Sequence, residues 1–330
     1  MIRIRLYSLG HSMKAIVVEN FGGPEVMEFK EISRPTPGKG EVLIKLHACG
    51  VNPVDTYVRS GVRGGPLPYT PGLDGAGTVA EVGDEVVNLR VGDRVFLCGS
   101  ITGTYAEYAV CSQAQVQPLP DNVSFVHGAG VFVPYGTAYT ALFLFGEAKP
   151  GEVVLIHGGS GGVGIAAIQF ARARGLTVIA TAGTERGCDL VLREGAHYAV
   201  NHNDAGYESV IVKLAGSTGV NLIIEMLANK NLQRDLELLS FGGRVVVVGN
   251  RGTIEINPRD MMSKSARILG FNLLNIAGAE LAEIYSALQA GLRNETLRPV
   301  LGMEFPLKDA AKAHVAILEP GSFGKMVLVP

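Results

Sequence analysis

The stretch Val153–Gly175, VVLIHGGSGGVGIAAIQFARARG, narrows the fold more than any other part of the chain. Val153–Ile156 is an unbroken apolar run, the mark of a parallel strand buried on both faces. A glycine tract follows at once. Ile165–Arg174 then carries apolar residues at helical spacing, with Gly175 where a helix would stop. Gly159, Gly161 and Gly164 fit the G-x-G-x-x-G pattern in the strand–turn–helix setting that gives it meaning. In such a turn Gly159 permits the tight bend, Gly161 lets the backbone approach a pyrophosphate, and Gly164 lets helix and strand pack closely. The helix N-terminus offers the anion unpaired N–H groups and a partial positive charge.

The rest of the chain continues that pattern on one side and breaks it on the other. Apolar runs at Val153–Ile156, Thr177–Ala180, Tyr198–Val200, Val220–Met226, Arg244–Val248 and Ile268–Leu274 alternate with helical segments that include Arg186–Glu194, Glu208–Ala215 and Leu232–Leu239. Such alternation predicts an α/β, doubly wound parallel sheet. From Met13 to about Gln117 the signal is instead short strands between turns, at Lys14–Glu19, Val42–His47, Thr78–Val82, Arg94–Leu97 and Tyr105–Val110. Ser124–Phe145 reads as linking helices. The tail reads as helix (Glu280–Gly291), strand (Arg298–Phe305), helix (Lys308–Leu318) and strand (Gly324–Val329), returning to the first domain.

At 330 residues the chain exceeds one ordinary core, which predicts two domains. A net charge of −2 gives no general reason to expect nucleic acid or an anionic membrane as partner. No apolar run reaches membrane-spanning length. Cys49, Cys98, Cys111 and Cys188 are scattered, which argues against a disulfide scaffold and suits a reducing compartment. Residues 1–12 carry Arg3, Arg5 and His11 and no acid; they read as a dispensable extension or as a short mitochondrial signal.

The second strand of the parallel sheet decides the nucleotide. Enzymes that take NADH place an Asp or Glu at its end to bind the ribose 2′-OH. Here it ends Ala180-Thr181-Ala182-Gly183-Thr184, with no carboxylate before Glu185. Arg186 and His202 lie where they can supply charge or donors to a 2′-phosphate, so the expected cofactor is NADPH. A solvated, purely surface role for Arg186 stays open.

Several stretches resemble the zeta-crystallin type of NADPH:quinone oxidoreductase, in the zinc-free branch of the medium-chain dehydrogenase/reductase superfamily. They are HACGVNPVDTYVRSG (47–61), LPYTPGLDGAG (67–77), HGGSGGVG (157–164), IIEMLANKNL (223–232) and GGRVVVVGNRGTIEINPRD (242–260). The resemblance runs from about Met13 to the C-terminus. It implies a GroES-like β-rich catalytic domain over residues 13–135, a Rossmann NADPH-binding domain over 136–275 and a return to the catalytic domain over 276–330.

The zinc branch is tested by two positions. Asn52 stands where a ligand Cys would, and Leu73 where a ligand His would; leucine coordinates no metal. Cys49 reads as a small buried residue. The expectation is a zinc-free reductase. An electron-poor quinone needs no Lewis acid; the protein has only to place it against C4 of the nicotinamide and shield it from water.

The resemblance puts the acceptor in a pocket between the domains, lined by Asn52, Asp55 and Tyr57. Asn52 and Tyr57 offer hydrogen bonds to a carbonyl oxygen, and Asp55 orients its neighbours. It assigns cofactor contacts to Tyr57, Ser160, Gly161, Gly162, Val163, Gly183, His202, Asn231, Val248, Gly249, Asn250, Arg251, Phe271, Asn272 and Leu273, with Asn229 a weaker candidate, and these join Arg186 from the strand-end reading above. Arg63 replaces a Tyr common in relatives, which counts against an enoyl-thioester reductase with a tyrosine proton donor. His47, His127, His197 and His314 lack metal spacing, Tyr105 and Tyr108 read as packing, and Met261–Met262 as core.

The functional expectation is NADPH-dependent reduction of ortho- or para-quinones, by hydride or single-electron transfer. Reduction of activated C=C bonds in 2-alkenals or enones is the second reading. A structural crystallin, or an RNA-binding protein for which no RNP motif or basic stripe speaks, is the third. A cytoplasmic homo-oligomer, dimer or tetramer, is expected from the family.

Overall fold

The computed structural model describes His11–Gly321 and Phe323–Pro330. The expected N-terminal extension lies mostly outside the described residues. Ser12 already belongs to the first strand, one residue earlier than that extension allows.

The chain forms two compact units. One holds the residues up to Gly130 together with Met303–Leu318 and Met326–Pro330. Its strands are β1 (Ser12–Val18), β2 (Met27–Ser33), β3 (Glu41–Val51), β4 (Asp74–Val82), β5 (Arg94–Cys98), β6 (Tyr108–Ser112) and β7 (Val116–Pro118). Helix α1 (Pro53–Arg59) follows β3, and α2 (Phe125–Gly128) ends the segment. β1 and β2 pair as an antiparallel ribbon. β2 and β7 carry little strand signal in the sequence: β2 is charged and largely exposed, and β7 is three residues ending in Pro118. The strand expected at Tyr105–Val110 begins at Tyr108, because Tyr105 bonds instead to the Pro71 carbonyl.

The other unit holds Val131–Gly302 and Glu319–Lys325. It opens with a helical run in which α3 (Thr137–Tyr139) is flanked by wider π-turns at Phe132–Gly136 and Thr140–Phe145. Then come β8 (Val153–Ile156), α4 (Gly162–Ala173), β9 (Thr177–Ala182), α5 (Glu185–Arg193), β10 (Tyr198–Asn201), α6 (Tyr207–Ala215), β11 (Val220–Glu225), α7 (Ala228–Leu238), β12 (Leu239–Val247), α8 (Pro258–Lys264) and β13 (Arg267–Gly270). The six strands are parallel in the order β10-β9-β8-β11-β12-β13. This is the doubly wound order that reverses between β8 and β11. Leu155, Ile179, Ile223 and Val245 fill the sheet's core. On α4, Ile165 and Ile168 are almost wholly buried, each contributing about 1.5–3 kcal/mol of apolar burial. Met261 packs against the core, but Met262 is 76% exposed, a correction to its expected burial.

Helix α9 (Gly278–Arg293) belongs to this second unit, and the return begins later than expected, at Met303. Strand β14 (Leu301–Pro306), helix α10 (Ala310–Ala316) and strand β15 (Lys325–Val329) complete the chain. The larger sheet runs β14-β15-β3-β4-β5-β7, with β6 also on β3.

An ion pair between a buried arginine and a partly buried carboxylate braces the parallel sheet. Arg244 of β12 binds Glu152 with two parallel bonds, Nη1–Oε1 2.8 Å and Nη2–Oε2 2.7 Å. It also donates to the carbonyls of Gly146, Glu147 and Asn221. The guanidinium is fully engaged, which is what makes a buried charge tolerable.

Candidate functional site

The glycine turn lies between β8 and α4. Gly158 takes the left-handed conformation (φ +58°), so the tight bend falls on Gly158 and not on Gly159 as expected. Gly159 serves packing instead: a Cβ there would lie 2.9 Å from Ala180 Cβ and 2.9 Å from Val191 Cγ1. A Cβ on Gly164 would strike the Gly158 carbonyl at 2.3 Å and Gly159 Cα at 2.6 Å. Helix and turn therefore meet backbone to backbone, as the pattern requires. Gly161 caps α4 in an extended conformation. Gly162 and Val163 begin the helix half-buried, with the first-turn amides turned out of the helical ladder. Ser160 is buried, and its carbonyl accepts from Gly324 at 2.8 Å.

At the end of β9, Gly183 bears His202 against it. A Cβ on Gly183 would lie 2.8 Å from His202 Nε2. Asn203, absent from the sequence-based set, donates from Nδ2 to the Gly183 carbonyl at 2.8 Å. Thr184 caps α5 by accepting from the Gly187 amide at 3.0 Å. Arg186, exposed in the first turn of α5, stacks its guanidinium 3.8 Å from the centre of the Phe323 ring. It is therefore anchored by a cation–π contact and not a free surface arginine.

The loops after β11, β12 and β13 hold the remaining candidates. Val248 and Gly249 donate their amides to the Glu225 carbonyl at 2.8 and 3.2 Å. A Cβ on Gly249 would strike the Met226 carbonyl at 2.2 Å. Asn250 Nδ2 reaches the Gly252 carbonyl, and the Arg251 amide reaches Asn229 Oδ1, which makes Asn229 a brace for that loop. Asn231 donates to Glu225 Oε1 at 3.2 Å. After β13, Phe271 packs on Phe145, Asn272 accepts from the Leu274 amide, and Leu273 is buried beside Gly136.

The β-rich unit holds Asn52, Asp55 and Tyr57 at the start of α1. Asn52 and Asp55 are buried, and Tyr57 is half-buried. Asp55 Oδ2 accepts from the Asn52 amide at 2.8 Å, and Asn52 Nδ2 donates to Asp74 Oδ2 at 3.0 Å. Asp55 also accepts from the Tyr105 hydroxyl at 3.1 Å. Tyr105 faces His314 Nε2, and His314 Nδ1 faces Arg59 Nη1 at 3.3 Å. Tyr105 and His314, read from the sequence as packing and as isolated, are thus members of a buried polar chain. For His314 a signal existed: in AAKAHVA it lies four residues after the buried Ala310, on the inner face of α10. Burial, with Arg59 adding to it, pushes the His314 imidazole down to about 3. Cys49 is fully buried, and burial raises its thiol to about 12. Arg63 is exposed.

Comparison with known proteins accords with this geometry. Residues 162–290 match the zinc-binding dehydrogenase family, and residues 38–121 match the alcohol dehydrogenase GroES-like domain. The chain is 52% identical over 321 residues to a quinone oxidoreductase of Sus scrofa, covering 96% of this chain and 98% of that one. It is 50% identical over 321 residues to the quinone oxidoreductase of Homo sapiens, with the same coverage. Its structure resembles that of Escherichia coli quinone oxidoreductase complexed with NADPH, with a TM-score of 0.86, 28% sequence identity, and 97% and 100% of the two chains covered.

Proposed function

Because the chain belongs to the quinone oxidoreductase family of the medium-chain dehydrogenase/reductase superfamily, we propose that it reduces quinones with NADPH. The observation that carries the choice of nucleotide is at Gly183. A carboxylate there would bind a ribose 2′-OH, but a side chain at that position would have to displace the His202 imidazole, whose Nε2 lies 2.8 Å from where the added Cβ would be. Arg186, steadied by Phe323, and His202 are the residues that would hold the 2′-phosphate. The glycine turn suits a pyrophosphate, since it leads through the extended Gly161 into the N-terminus of α4, whose first amides have no partner in the helical ladder.

When bound, NADPH supplies reducing equivalents from C4 of its nicotinamide. The protein's part is orientation. Val248–Arg251 contact the cofactor, and Phe271–Leu273 offer backbone groups for the carboxamide. Asn52 and Tyr57 offer hydrogen bonds to the acceptor's carbonyl oxygen. Asp55 acts as a positioning residue, holding the Asn52 backbone through its amide.

The reaction is proposed to run without zinc, although the family's description carries that metal's name. Support comes from Leu73 and Asn52 at the two ligand positions and from Cys49, whose buried thiol resists ionisation. A homo-oligomer is proposed through β13, the edge strand of the parallel sheet. A cytoplasmic setting suits four free cysteines.

The experiment is NADPH oxidation by metal-stripped protein, with 9,10-phenanthrenequinone and a 2-alkenal in parallel and NADH as control. Quinone turnover preferring NADPH supports the reading. Turnover of the alkenal alone replaces it with C=C reduction. Loss of activity on stripping, restored by zinc, sinks the metal-free part.

A further inference from the structure

Behind the glycine turn stand three buried ionisable side chains with no role so far. His157 follows β8, Glu225 ends β11 and Asp235 lies on the inner face of α7; their side chains are 6%, 0% and 1% exposed. His157 Nε2 is 2.9 Å from Asp235 Oδ1 and 3.5 Å from Glu225 Oε2. His157 Nδ1 is 3.4 Å from Thr181 Oγ1, which in turn accepts from the Gly158 amide at 3.2 Å. Glu225 Oε1 accepts from the Leu227 amide and from Asn231 Nδ2. Two buried oxygens are then left without a hydrogen-bond partner, Glu225 Oε2 and Asp235 Oδ2.

The imidazole nitrogen and the two carboxylate oxygens lie within 4.8 Å of one another, and two ionised carboxylates that close in this interior would repel without screening. One proton between the orphan oxygens gives both a partner, as O–H···O. A cation fits less well. The 2.9 Å contact is a hydrogen bond that uses the imidazole nitrogen a metal would need. It is also shorter than the roughly 3.3 Å between donors placed about 2.0 Å from tetrahedral zinc.

We propose that His157, Glu225 and Asp235 share protons as one positioning cluster, which locks the glycine turn to Asn231 and the Val248–Arg251 loop and so sets how tightly NADPH is held. This deepens the cofactor reading above and rests on it. The cluster reaches the turn through Thr181 and Gly158 on one side. On the other it reaches Asn231 and Leu227 through the Glu225 carboxyl, and Val248 and Gly249 through the Glu225 carbonyl.

Burial raises both carboxyls above the usual carboxylate range and holds His157 below its ordinary value. The groups around them do not titrate from neutral to alkaline pH. Arg234 on α7, paired with Glu208 of α6 at 2.8 Å, stays charged. Burial keeps the Tyr207 hydroxyl above its ordinary value, and burial with His157 keeps His202 below its own. The folded cluster thus holds a proton that the unfolded chain has lost. Its contribution to stability is full below the ordinary carboxylate value, falls as pH rises from there, and is gone once pH passes the raised carboxyl.

The test measures NADPH affinity by fluorescence from about pH 6.5 to about pH 9.5 for the wild type, E225Q and D235N, alongside the Tm of the cofactor-free proteins. The wild-type Kd should rise above the raised carboxyl by up to about tenfold per pH unit, and the Tm should fall with rising pH until that carboxyl ionises and level off above it. In E225Q the amide still accepts from Leu227 and Asn231 and donates to Asp235 in the proton's place, so both alkaline trends should vanish. The infrared C=O band of a buried protonated carboxyl should be present in the wild type and absent in E225Q. A flat wild-type Kd, or an alkaline rise unchanged in both variants, overturns the proposal. So does a stoichiometric metal whose removal lowers Tm. Should a variant fail to fold, the wild-type pH profile and infrared band decide. Should NADPH fail to bind at any pH, the cofactor reading falls, and the Tm profile and infrared band still judge the cluster.

Discussion

Tyr105 holds its hydroxyl 3.1 Å from His314 Nε2, and this contact fixes the direction of a buried chain. Tyr105 gives its proton to Asp55, so it must accept from His314 Nε2–H. His314 Nδ1 is then bare and accepts from Arg59. The chain runs from a cation to a carboxylate with every proton assigned, and it ends on the residue that holds the Asn52 amide.

Acid should therefore unfold this protein partly through His314. Its folded imidazole is depressed to about 3 by burial and by Arg59, while the unfolded chain protonates near the ordinary value. The unfolded state binds the extra proton between those limits, so stability is full above the ordinary histidine value and falls with pH below it. H314Q keeps an acceptor for Arg59 and a donor for Tyr105. It should flatten the acid limb of a Tm-against-pH curve without removing it, since His157 is also depressed by burial. An acid limb identical to wild type would show that His314 titrates freely.

Y105F should cost about 1–3 kcal/mol, because it leaves the His314 N–H and one Asp55 lone pair buried without a partner. Denaturant melts measure this. If Asp55 positions Asn52 as proposed, kcat for quinone should fall while the Kd for NADPH stays unchanged.

G164A should be severe for its size. The new methyl would meet the Gly158 carbonyl at 2.3 Å and Gly159 Cα at 2.6 Å. Neither is a flexible side chain, so the turn itself must move. A stability loss of about 1–3 kcal/mol with loss of NADPH binding is expected, read by melts and by fluorescence titration. Wild-type affinity in G164A would refute close packing at the turn.

R186A should raise the Kd for NADPH about tenfold, the worth of a charged hydrogen bond, and leave that for NADH unchanged. Equal losses for both nucleotides would assign Arg186 to the loop's structure, through its ring contact with Phe323, and not to the phosphate.

R244A removes the partner of a partly buried carboxylate and five hydrogen bonds. A loss of about 3–5 kcal/mol is expected, seen as a fall in Tm. E152Q, which keeps an acceptor for the guanidinium, should cost less.

The sequence made the parallel sheet legible because its strands are apolar runs that need no partner to be recognised: all six appear near their expected places. The β-rich unit was harder. β2 alternates charge with little burial, and β7 is too short to show a period. In the candidate site, residues in glycine-rich or turn motifs could be named, but those defined by long-range pairing could not. Tyr105 and His314 lie 209 positions apart and His157 and Asp235 lie 78 apart, and no local pattern joins them. Asp235 did leave a trace, three residues after Leu232 and so on the same buried face of α7. The tight bend shifted by one position, from Gly159 to Gly158, since φ decides which residue bends and spacing alone does not.

The return of the chain also sets an order of assembly during synthesis. In β3, Cys49, Gly50 and Val51 pair with Leu328, Val327 and Met326 of β15. The parallel sheet has all its strands by Gly270 and can close on the ribosome. The β-rich unit then waits with part of its central strand bare, although that strand was made before any strand of the parallel sheet. A nascent chain stalled before Met326 would carry a finished nucleotide-binding unit beside an open strand edge, a template for pairing with a neighbouring nascent chain.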